Sequence, residues 1–348
     1  MSRVTIADVA SAAGVSKTAV SFAFNNPDKL GQATLERVLG VAHDLGYAPH
    51  PAARALSMRR SGTIGLLVPQ PLSMVFANPF LSELIQGLGE LCEQHDLTLL
   101  LVPPLDGSLE DAVRQAPVDG FISLGLTPDD RALAILDRLG IPTVIVDSEG
   151  SPKHPVVNVD DRGGAEAAAG HLLELGHRRL AIIVLPPTRG HSGTTATAAR
   201  RMAGYLAAIE KAGAPPPQTV TAEVSTAAGA GAFQAMANGR QPPTGVLAMS
   251  DMAAIGVMSA ALAAGLSVPG DLSVVGYDDI PMAAWTNPAL TTVHQPIVEK
   301  GRHAARLLIR RMKGEKVESP SPLSTRLIVR GSTSAPWRSA KEVVGPRA

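Results

Sequence analysis

The stretch VTIADVASAAGVSKTAVSFAFN (residues 4–25) predicts two short helices joined by a tight turn, and it decides how the start of the chain folds. Thr5 is a suitable N-cap for a first helix with a continuous apolar face. Gly14 readily adopts the positive φ that a tight turn needs, and Ser16 is placed to cap the second helix. Two short helices around an Ala-Gly-Val turn are the sequence form of a helix-turn-helix.

A third helix is predicted from QATLERVLGVAHDLGY (residues 32–47), and it would complete a three-helix bundle. Its expected buried positions are Leu35, Val38, Leu39, Ala42 and Leu45. On the second helix, Val20 and Phe24 are four residues apart and are expected to pack on the first helix. The other face of that helix carries Lys17, Thr18, Ser21 and Phe22. From these residues alone, a bundle without any DNA role remains the alternative.

The composition indicates a soluble protein of two or three domains, because the chain has 348 residues with 45% hydrophobic and 18% charged content. Its net charge of zero gives no argument for nucleic acid, although residues 1–60 hold seven Lys/Arg against four Asp/Glu. The single Cys92 excludes an intrachain disulfide and is expected to be buried. Because there is neither a signal peptide nor an apolar stretch of about 18 residues, we expect a cytoplasmic protein that does not enter the membrane.

From residue 63 onward, short apolar runs alternate with helical segments. The predicted strands are TIGLLVP, LTLLLVP, GFISLGL, PTVIVDS, VVNVDD, RLAIIVL, TVTAEVS, GVLAMS, LSVVGYD and LTTVHQP, followed by RLIVRG (326–331). Nearly continuous apolar strands separated by helices indicate parallel sheets that are covered on both faces. We predict two doubly wound sheets that divide near VDDRGG (159–164), with RLIVRG returning to the second sheet. Two such lobes form a cleft, where the carboxyl ends of the strands are expected to bind a small molecule.

The residues quoted above resemble a known family. Residues 4–25 followed by LERVLGVAHDLGYAPHPAARAL (35–56) closely resemble the DNA-binding head and hinge of the LacI/GalR family of bacterial transcriptional repressors. Farther along, NPFLSELIQGL, GHRRLAII, RMAGY, GVLAMSD and VVGYDDIPMAAW occur in the order of the family's effector-binding core. The resemblance implies an all-α helix-turn-helix head and an α/β core of two doubly wound parallel-sheet lobes of the periplasmic-binding-protein type I kind.

The resemblance also implies a domain organisation and partners. We expect a head at residues 1–47, a hinge helix or linker at 48–62, an effector-binding core at 63–335 and a loose tail at 336–348. Within the core, the N-lobe would comprise about 63–160 plus 294–320, and the C-lobe about 161–293 plus 321–335. The expected partners are a pseudo-palindromic double-stranded DNA operator, a small effector such as a sugar or related metabolite, and a second copy of the chain. A tetramer is not expected, because the tail has no leucine heptads.

The DNA-binding residues expected from the helix face and the resemblance fall in the head and the hinge. They are Thr5, Ser16, Lys17, Thr18, Ser21, Phe22, Asn25, Thr34 and Tyr47 in the head, and His50, Ala53, Arg54 and Leu56 in the hinge. Leu56 matches the family's leucine wedge, which inserts into the minor groove. The position of Phe22 commonly carries an arginine that reads guanine, so we hypothesise a preference for a T·A pair there. Alternatively, Phe22 leans against Tyr47 or the third helix.

The effector-binding residues expected from strand ends and the resemblance are Asn78, Phe80, Asp147, Arg201, Ser250, Asp278 and Trp285. Arg201 and Asp278 are suited to bind vicinal hydroxyls through charge-assisted hydrogen bonds. Trp285 would cover the apolar side of a sugar ring, or else pack in the core. At Ser250 this chain departs from the family, which often has asparagine there. Whether the effector releases or tightens DNA binding stays open.

The enzyme motifs that this sequence approaches are incomplete. GHSGT (190–194) lacks the second glycine of G-x-S-x-G at the required place, and HLLELGH (171–177) is not H-E-x-x-H, so we expect no enzyme, no cofactor and no metal. A solute-binding protein that serves a transporter would have a similar core but not the head. A cytoplasmic sugar-binding protein without DNA regulation, and a nucleoside- or purine-responsive regulator, remain the alternatives.

Overall fold

The computed structural model describes residues 4–48, 60–127, 129–150, 153–187, 194–239 and 241–337. The chain forms two compact units, the first of residues 1–63 with 117–119 and the second of the remainder. Most of the predicted hinge, including His50, Ala53, Arg54 and Leu56, and the tail from residue 338 lie outside the described residues. Within the described part of the chain, no helix is both long and apolar enough to cross a membrane.

The first unit is the predicted three-helix bundle, with helices α1 (Ile6–Ala13), α2 (Lys17–Asn25) and α3 (Gln32–Asp44). Thr5 donates its backbone N–H and its hydroxyl to the Asp8 carboxylate, both at 2.8 Å, and this pairing fixes the start of α1. Gly14 follows α1 with φ +66°, as the turn requires. The small core consists of Val9, Ala10, Ala13, Val20, Ala23, Val38 and Ala42.

Helix α3 buries less than the sequence pattern predicts. Val38 and Ala42 are buried, whereas Leu39 is 40% exposed and Leu45 39% exposed, so the prediction that these two leucines are buried was wrong. A bundle of three short helices covers only one narrow stripe of α3, and Leu39 lies about 100° around the helix from Val38. The N-cap position of α3 is Gly31, and Thr34 lies in the first turn of the helix.

The second unit begins with a five-stranded sheet, and we call this sheet with its helices the N-lobe. Its strands are β1 (Thr63–Leu67), β2 (Thr98–Val102), β3 (Gly120–Leu124), β4 (Thr143–Val146) and β5 (Val156–Val157), in the order β2-β1-β3-β4-β5. The pairs β1–β3, β3–β4 and β4–β5 are parallel. Its helices are α4 (Leu72–Ala77), α5 (Pro79–Gln94), α6 (Leu109–Gln115) and α7 (Arg131–Leu139).

The rest of the second unit is built on a six-stranded sheet, the C-lobe. Its strands are β6 (Leu180–Val184), β7 (Gln218–Thr221), β8 (Gly245–Ala248), β9 (Ser273–Asp278), β10 (Thr291–His294) and β11 (Arg326–Ile328), in the order β11-β10-β9-β8-β6-β7. Only the β10–β11 pairing is antiparallel among those described. Its helices are α8 (Asp161–Glu174), α9 (Ala196–Lys211), α10 (Thr226–Ala237), α11 (Asp251–Ala263) and α12 (Pro281–Trp285). All eleven predicted strands are present, and the final one returns to the second sheet as predicted.

Helix α13 (Ile297–Met312) follows the C-lobe strand β10 but packs in the N-lobe core with Leu84 and Leu88. The chain therefore crosses between the lobes at residues 295–296. Close approach of α13 to α5 depends on glycine, because a Cβ at Gly87 would lie 1.9 Å from the Val298 carbonyl oxygen.

Candidate functional sites

Helix α2 presents the candidate DNA-reading face. The Ser16 hydroxyl caps the helix by accepting the Ala19 N–H at 3.1 Å. Val20 and Ala23 are buried against the other helices, and this leaves the opposite side of α2 accessible. On that side Lys17 and Thr18 are exposed, and Ser21 and Phe22 are half-buried.

The two phenylalanines of α2 have different environments. Phe24 packs in the bundle and makes an edge-to-face contact with Tyr47, with ring centroids 5.8 Å apart. The ring of Phe22 instead has the Lys29 ammonium 5.2 Å from its centroid. The aromatic partner of Tyr47 is thus Phe24, and Phe22 stays on the accessible face.

Several of the predicted DNA-binding residues already have partners within the bundle. Asn25 donates its side-chain amide to the Ser21 hydroxyl at 3.3 Å. Thr5 and Ser16 are the N-caps of α1 and α2, and helix N-termini attract anions such as phosphate. Thr34 is half-buried in the first turn of α3.

A cavity of about 480 Å³ lies between the two lobes, at the carboxyl ends of their strands. Six of the seven predicted effector residues line it: Asn78, Phe80, Asp147, Arg201, Ser250 and Asp278. Much of the remaining wall is apolar, with Met74, Leu124, Leu185, Val224 and Met249. Such a mixture of apolar surface and few polar groups is typical of a small-molecule site.

Trp285 is the predicted effector residue that the structure does not bring to this cavity. It ends the short helix α12, lies outside the described lining, and is 77% exposed. It is therefore neither in the cavity wall nor in the core. The polar end of the strand β9, rather than the helix that follows it, reaches the cavity.

Four polar residues of the cavity wall are helix caps. Asn78, Thr195, Ser225 and Ser250 accept backbone N–H groups in the first turns of α5, α9, α10 and α11, at 3.1–3.3 Å. Ser250 therefore caps α11, at a position where asparagine is common in the LacI/GalR family that the sequence resembles. Four helix N-termini consequently meet at the cavity, as expected for two doubly wound sheets that face each other.

Arg201 is buried in the C-lobe wall and held in a fixed orientation. Its Nε donates to Asp161 Oδ1 at 2.9 Å, and its guanidinium stacks 3.5 Å from the centroid of the Tyr277 ring. Arg200 binds the other oxygen of Asp161 and also donates to the Ser148 carbonyl oxygen at 3.1 Å. Asp161 and Arg200 were missed by the sequence analysis, since neither ends a strand.

A second buried network joins the two carboxylates of opposite walls. Lys300 Nζ donates to Asp147 Oδ1 and Oδ2 at 2.8 and 3.0 Å, and to Gln295 Oε1 at 2.8 Å. Gln295 Nε2 in turn donates to Asp278 Oδ1 at 2.6 Å. Lys300 was also missed, although its position on the apolar stripe of α13, three residues after Ile297 and four before Ala304, is a recognisable signal.

The backbone at the strand ends is unusual. Asp147, Asp278 and Asp279 have φ angles of 60°, 122° and 61°, which residues other than glycine rarely adopt. Backbone strain of this kind costs of order 1–3 kcal/mol per residue and clusters at binding sites. Asp147 and Asp278 are therefore held in these conformations at the cavity wall by the surrounding structure.

Burial raises the pKa of three carboxyl groups in the two lobes. Burial raises the pKa of Asp278 to about 6, although the neighbouring Arg201 opposes this shift. Burial also raises the pKa of Glu83 to about 7, and the charges of Asp278 and Asp279 add to the effect. The pKa of Asp251 is raised as well, because it is buried and lies near Asp278.

Two family models match the chain. Residues 5–50 match the model described as bacterial regulatory proteins, lacI family, and residues 169–333 match a periplasmic binding protein-like domain. The HTH-type transcriptional repressor CytR of Escherichia coli K12 is 34% identical over 342 residues, which cover 95% of this chain and 96% of CytR. The name of this relative describes a transcriptional repressor and not an enzyme.

Solved structures are similar over nearly the whole chain. A complex of the transcriptional regulator CelR with cellobiose matches with a TM-score of 0.71 and 31% identity, covering 95% of this chain and 100% of the other. A lac repressor dimer bound to operator and the anti-inducer ONPF matches with a TM-score of 0.81 and 26% identity, covering 96% and 100%. The head and both lobes of the chain therefore have counterparts in proteins that regulate transcription.

Proposed function

Because the chain belongs to the lacI family of bacterial regulatory proteins, we propose that it is a homodimeric repressor whose affinity for a pseudo-palindromic operator is set by a small effector. One observation carries this proposal: a helix-turn-helix bundle and a two-lobed α/β core with a polar-ended cavity occur in one chain. Its site of action is then the cytoplasm, where the DNA is.

The proposed reading of DNA divides between specificity and positioning. Helix α2 enters the major groove, where Lys17, Thr18 and Phe22 face the base edges. Phosphates are contacted by Thr5, Ser16, Ser21, Asn25, Thr34 and Tyr47, which position the protein without specifying sequence. In the hinge, Leu56 is the minor-groove wedge, and His50, Ala53 and Arg54 contact the DNA beside it.

The proposed effector is a sugar or a related polyhydroxylated metabolite. Asp278 and Arg201 recognise its hydroxyl groups, while Phe80 and the apolar wall cover its carbon skeleton. Cellobiose in the CelR complex and ribose in a lacI-family regulator of Enterococcus faecium support this ligand class. A nucleoside, which carries a ribose, is the second candidate, because the cavity of about 480 Å³ is large enough to hold one.

The proposed control is a shift between two states of the dimer. An effector that prefers one arrangement of the lobes changes operator affinity by its differential affinity for the two states. The sign of the effect follows from which state the effector prefers.

The proposal is tested by selecting binding sites from random DNA and then measuring mobility shifts with a panel of sugars and nucleosides. We expect a palindromic consensus and a panel member that changes operator occupancy. Absence of any sequence-specific site at physiological salt would refute the DNA-binding part of the proposal. If calorimetry shows that a compound binds but operator occupancy does not change, the proposed regulation by an effector is refuted.

A further inference from the structure

We propose that Lys300 is a positioning residue for the effector, because it fixes the two carboxylates that line opposite walls of the inter-lobe cavity. Those carboxylates belong to Asp147 in the N-lobe and Asp278 in the C-lobe. The inference rests on the proposed function, since it concerns how the same cavity recognises a small molecule.

The burial of a charged side chain at position 300 is energetically unfavourable, which indicates that the charge has a specific role. Lys300 is 0% exposed and lies on the face of α13 that packs in the N-lobe core. Burying an ammonium group is unfavourable unless its hydrogen bonds are satisfied, and an apolar residue would fill the same space without that cost. Among the described residues, the three hydrogen-bonding contacts of the ammonium group go to the cavity carboxylate Asp147 and to Gln295.

Lys300 also selects the orientation of the Gln295 amide. Gln295 Oε1 accepts from Lys300, and its Nε2 donates to Asp278 at 2.6 Å. The flipped amide would place its NH₂ group against the ammonium and its oxygen against the Asp278 carboxylate. Both contacts would be repulsive. The charge of Lys300 therefore determines that the NH₂ group of Gln295, and not its oxygen, faces the Asp278 carboxylate.

The network therefore runs from one wall of the cavity to the other. Asp147 and Lys300 belong to the N-lobe, Gln295 lies where the chain crosses between the lobes, and Asp278 ends the C-lobe strand β9. Both carboxylates have positive φ angles, so surrounding contacts must hold them in place. Without the ammonium, Asp147 loses the side-chain partner that the described residues give it, and the Gln295 amide is free to turn.

The test uses the full chain as the wild type and two variants, with four probes. The probes are cellobiose, D-ribose, cytidine and adenosine, and calorimetry identifies the one that the wild type binds most tightly. Its affinity and that of its single-deoxy analogues are then measured for Lys300→Met and for Lys313→Met. Lys313 is an exposed lysine just after the same helix, so its variant controls for the loss of one positive charge.

We expect Lys300→Met to bind the probe at least about tenfold more weakly, the effect of losing one hydrogen bond to a charged group. It should also discriminate less between the probe and the deoxy analogue that the wild type rejects most, whereas Lys313→Met behaves as the wild type. If Lys300→Met does not fold, Lys300→Gln, which removes the charge but keeps a hydrogen-bond donor beside Asp147, serves in its place with the same expectation.

Two results would overturn the inference alone. One is wild-type affinity in Lys300→Met, and the other is a loss of affinity with unchanged discrimination among the analogues, which indicates a merely structural role. Failure of the wild type to bind any probe would instead overturn the proposed effector class, and this inference with it. The two failures are therefore distinguished by the wild-type measurement.

Discussion

Replacing Phe22 by arginine changes the base that the second helix is proposed to read. The Phe22 ring lies on the accessible face of α2, with the Lys29 ammonium 5.2 Å from its centroid. An apolar ring makes its best base contact with the thymine methyl group, whereas arginine pairs with O6 and N7 of guanine. A bidentate contact of this kind discriminates by about 1–3 kcal/mol, or roughly 5- to 150-fold, in each half-site. The nearby positive charge of Lys29 will reduce the gain for a second cation, so we expect the lower half of that range.

The assay is site selection from random DNA, followed by fluorescence anisotropy on operators that differ only at the affected base pair. We expect the wild type to prefer T·A and Phe22→Arg to prefer G·C at this position. Phe24→Leu is the matched control, because Phe24 packs against Tyr47 and its loss should lower stability without changing base preference. Identical site preferences for the wild type and Phe22→Arg would refute the reasoning.

Three further predictions concern stability. Gly87→Ala should destabilise the chain by about 3 kcal/mol, because the new Cβ would lie 1.9 Å from the Val298 carbonyl oxygen. Gly89→Ala on the same helix has nothing within 4 Å of the new Cβ and should stabilise the chain by up to about 1 kcal/mol. Equal melting temperatures for the two variants would contradict this prediction. The folded-state pKa of Asp278 is raised to about 6, so the stability that its protonation contributes is lost as the pH rises from about 4 to 6. In urea denaturation, the wild type should therefore lose stability relative to Asp278→Asn in that window. Parallel curves of unfolding free energy against pH for the two proteins would contradict this prediction. Ser16→Ala should destabilise α2 by about 1 kcal/mol and Ser16→Asp by much less, because aspartate can replace serine as the N-cap. Hydrogen exchange of the α2 amides measures both effects. Equal protection of α2 in the wild type and Ser16→Ala would contradict the capping role.

The strands were predictable because their signal is local. Runs such as TIGLLVP and RLAIIVL are apolar throughout, as strands covered on both faces must be, and all eleven runs form strands. Predicting burial in α3 failed for Leu39 and Leu45, because periodicity shows which residues share a helix face but not how wide a stripe the neighbouring helices cover.

The cavity was predictable where function coincides with a strand end. Asp147 and Asp278 follow apolar strands directly, so parallel topology places them at the cleft. Lys300 and Asp161 were missed because their roles depend on which helix packs beneath which wall, and that is fixed only by tertiary packing. The prediction that Trp285 lies at the cavity or in the core failed for the same reason, because its distance from the strand end does not fix where the side chain packs, and it is 77% exposed.

The most direct test of the central claim is reciprocal linkage between operator and effector, measured on the full chain. The operator Kd is determined with and without the saturating probe, and the probe Kd with and without the operator. An allosteric regulator must show the same factor in both measurements, and we expect roughly 5- to 150-fold. Binding of both partners with a factor of one would contradict the account.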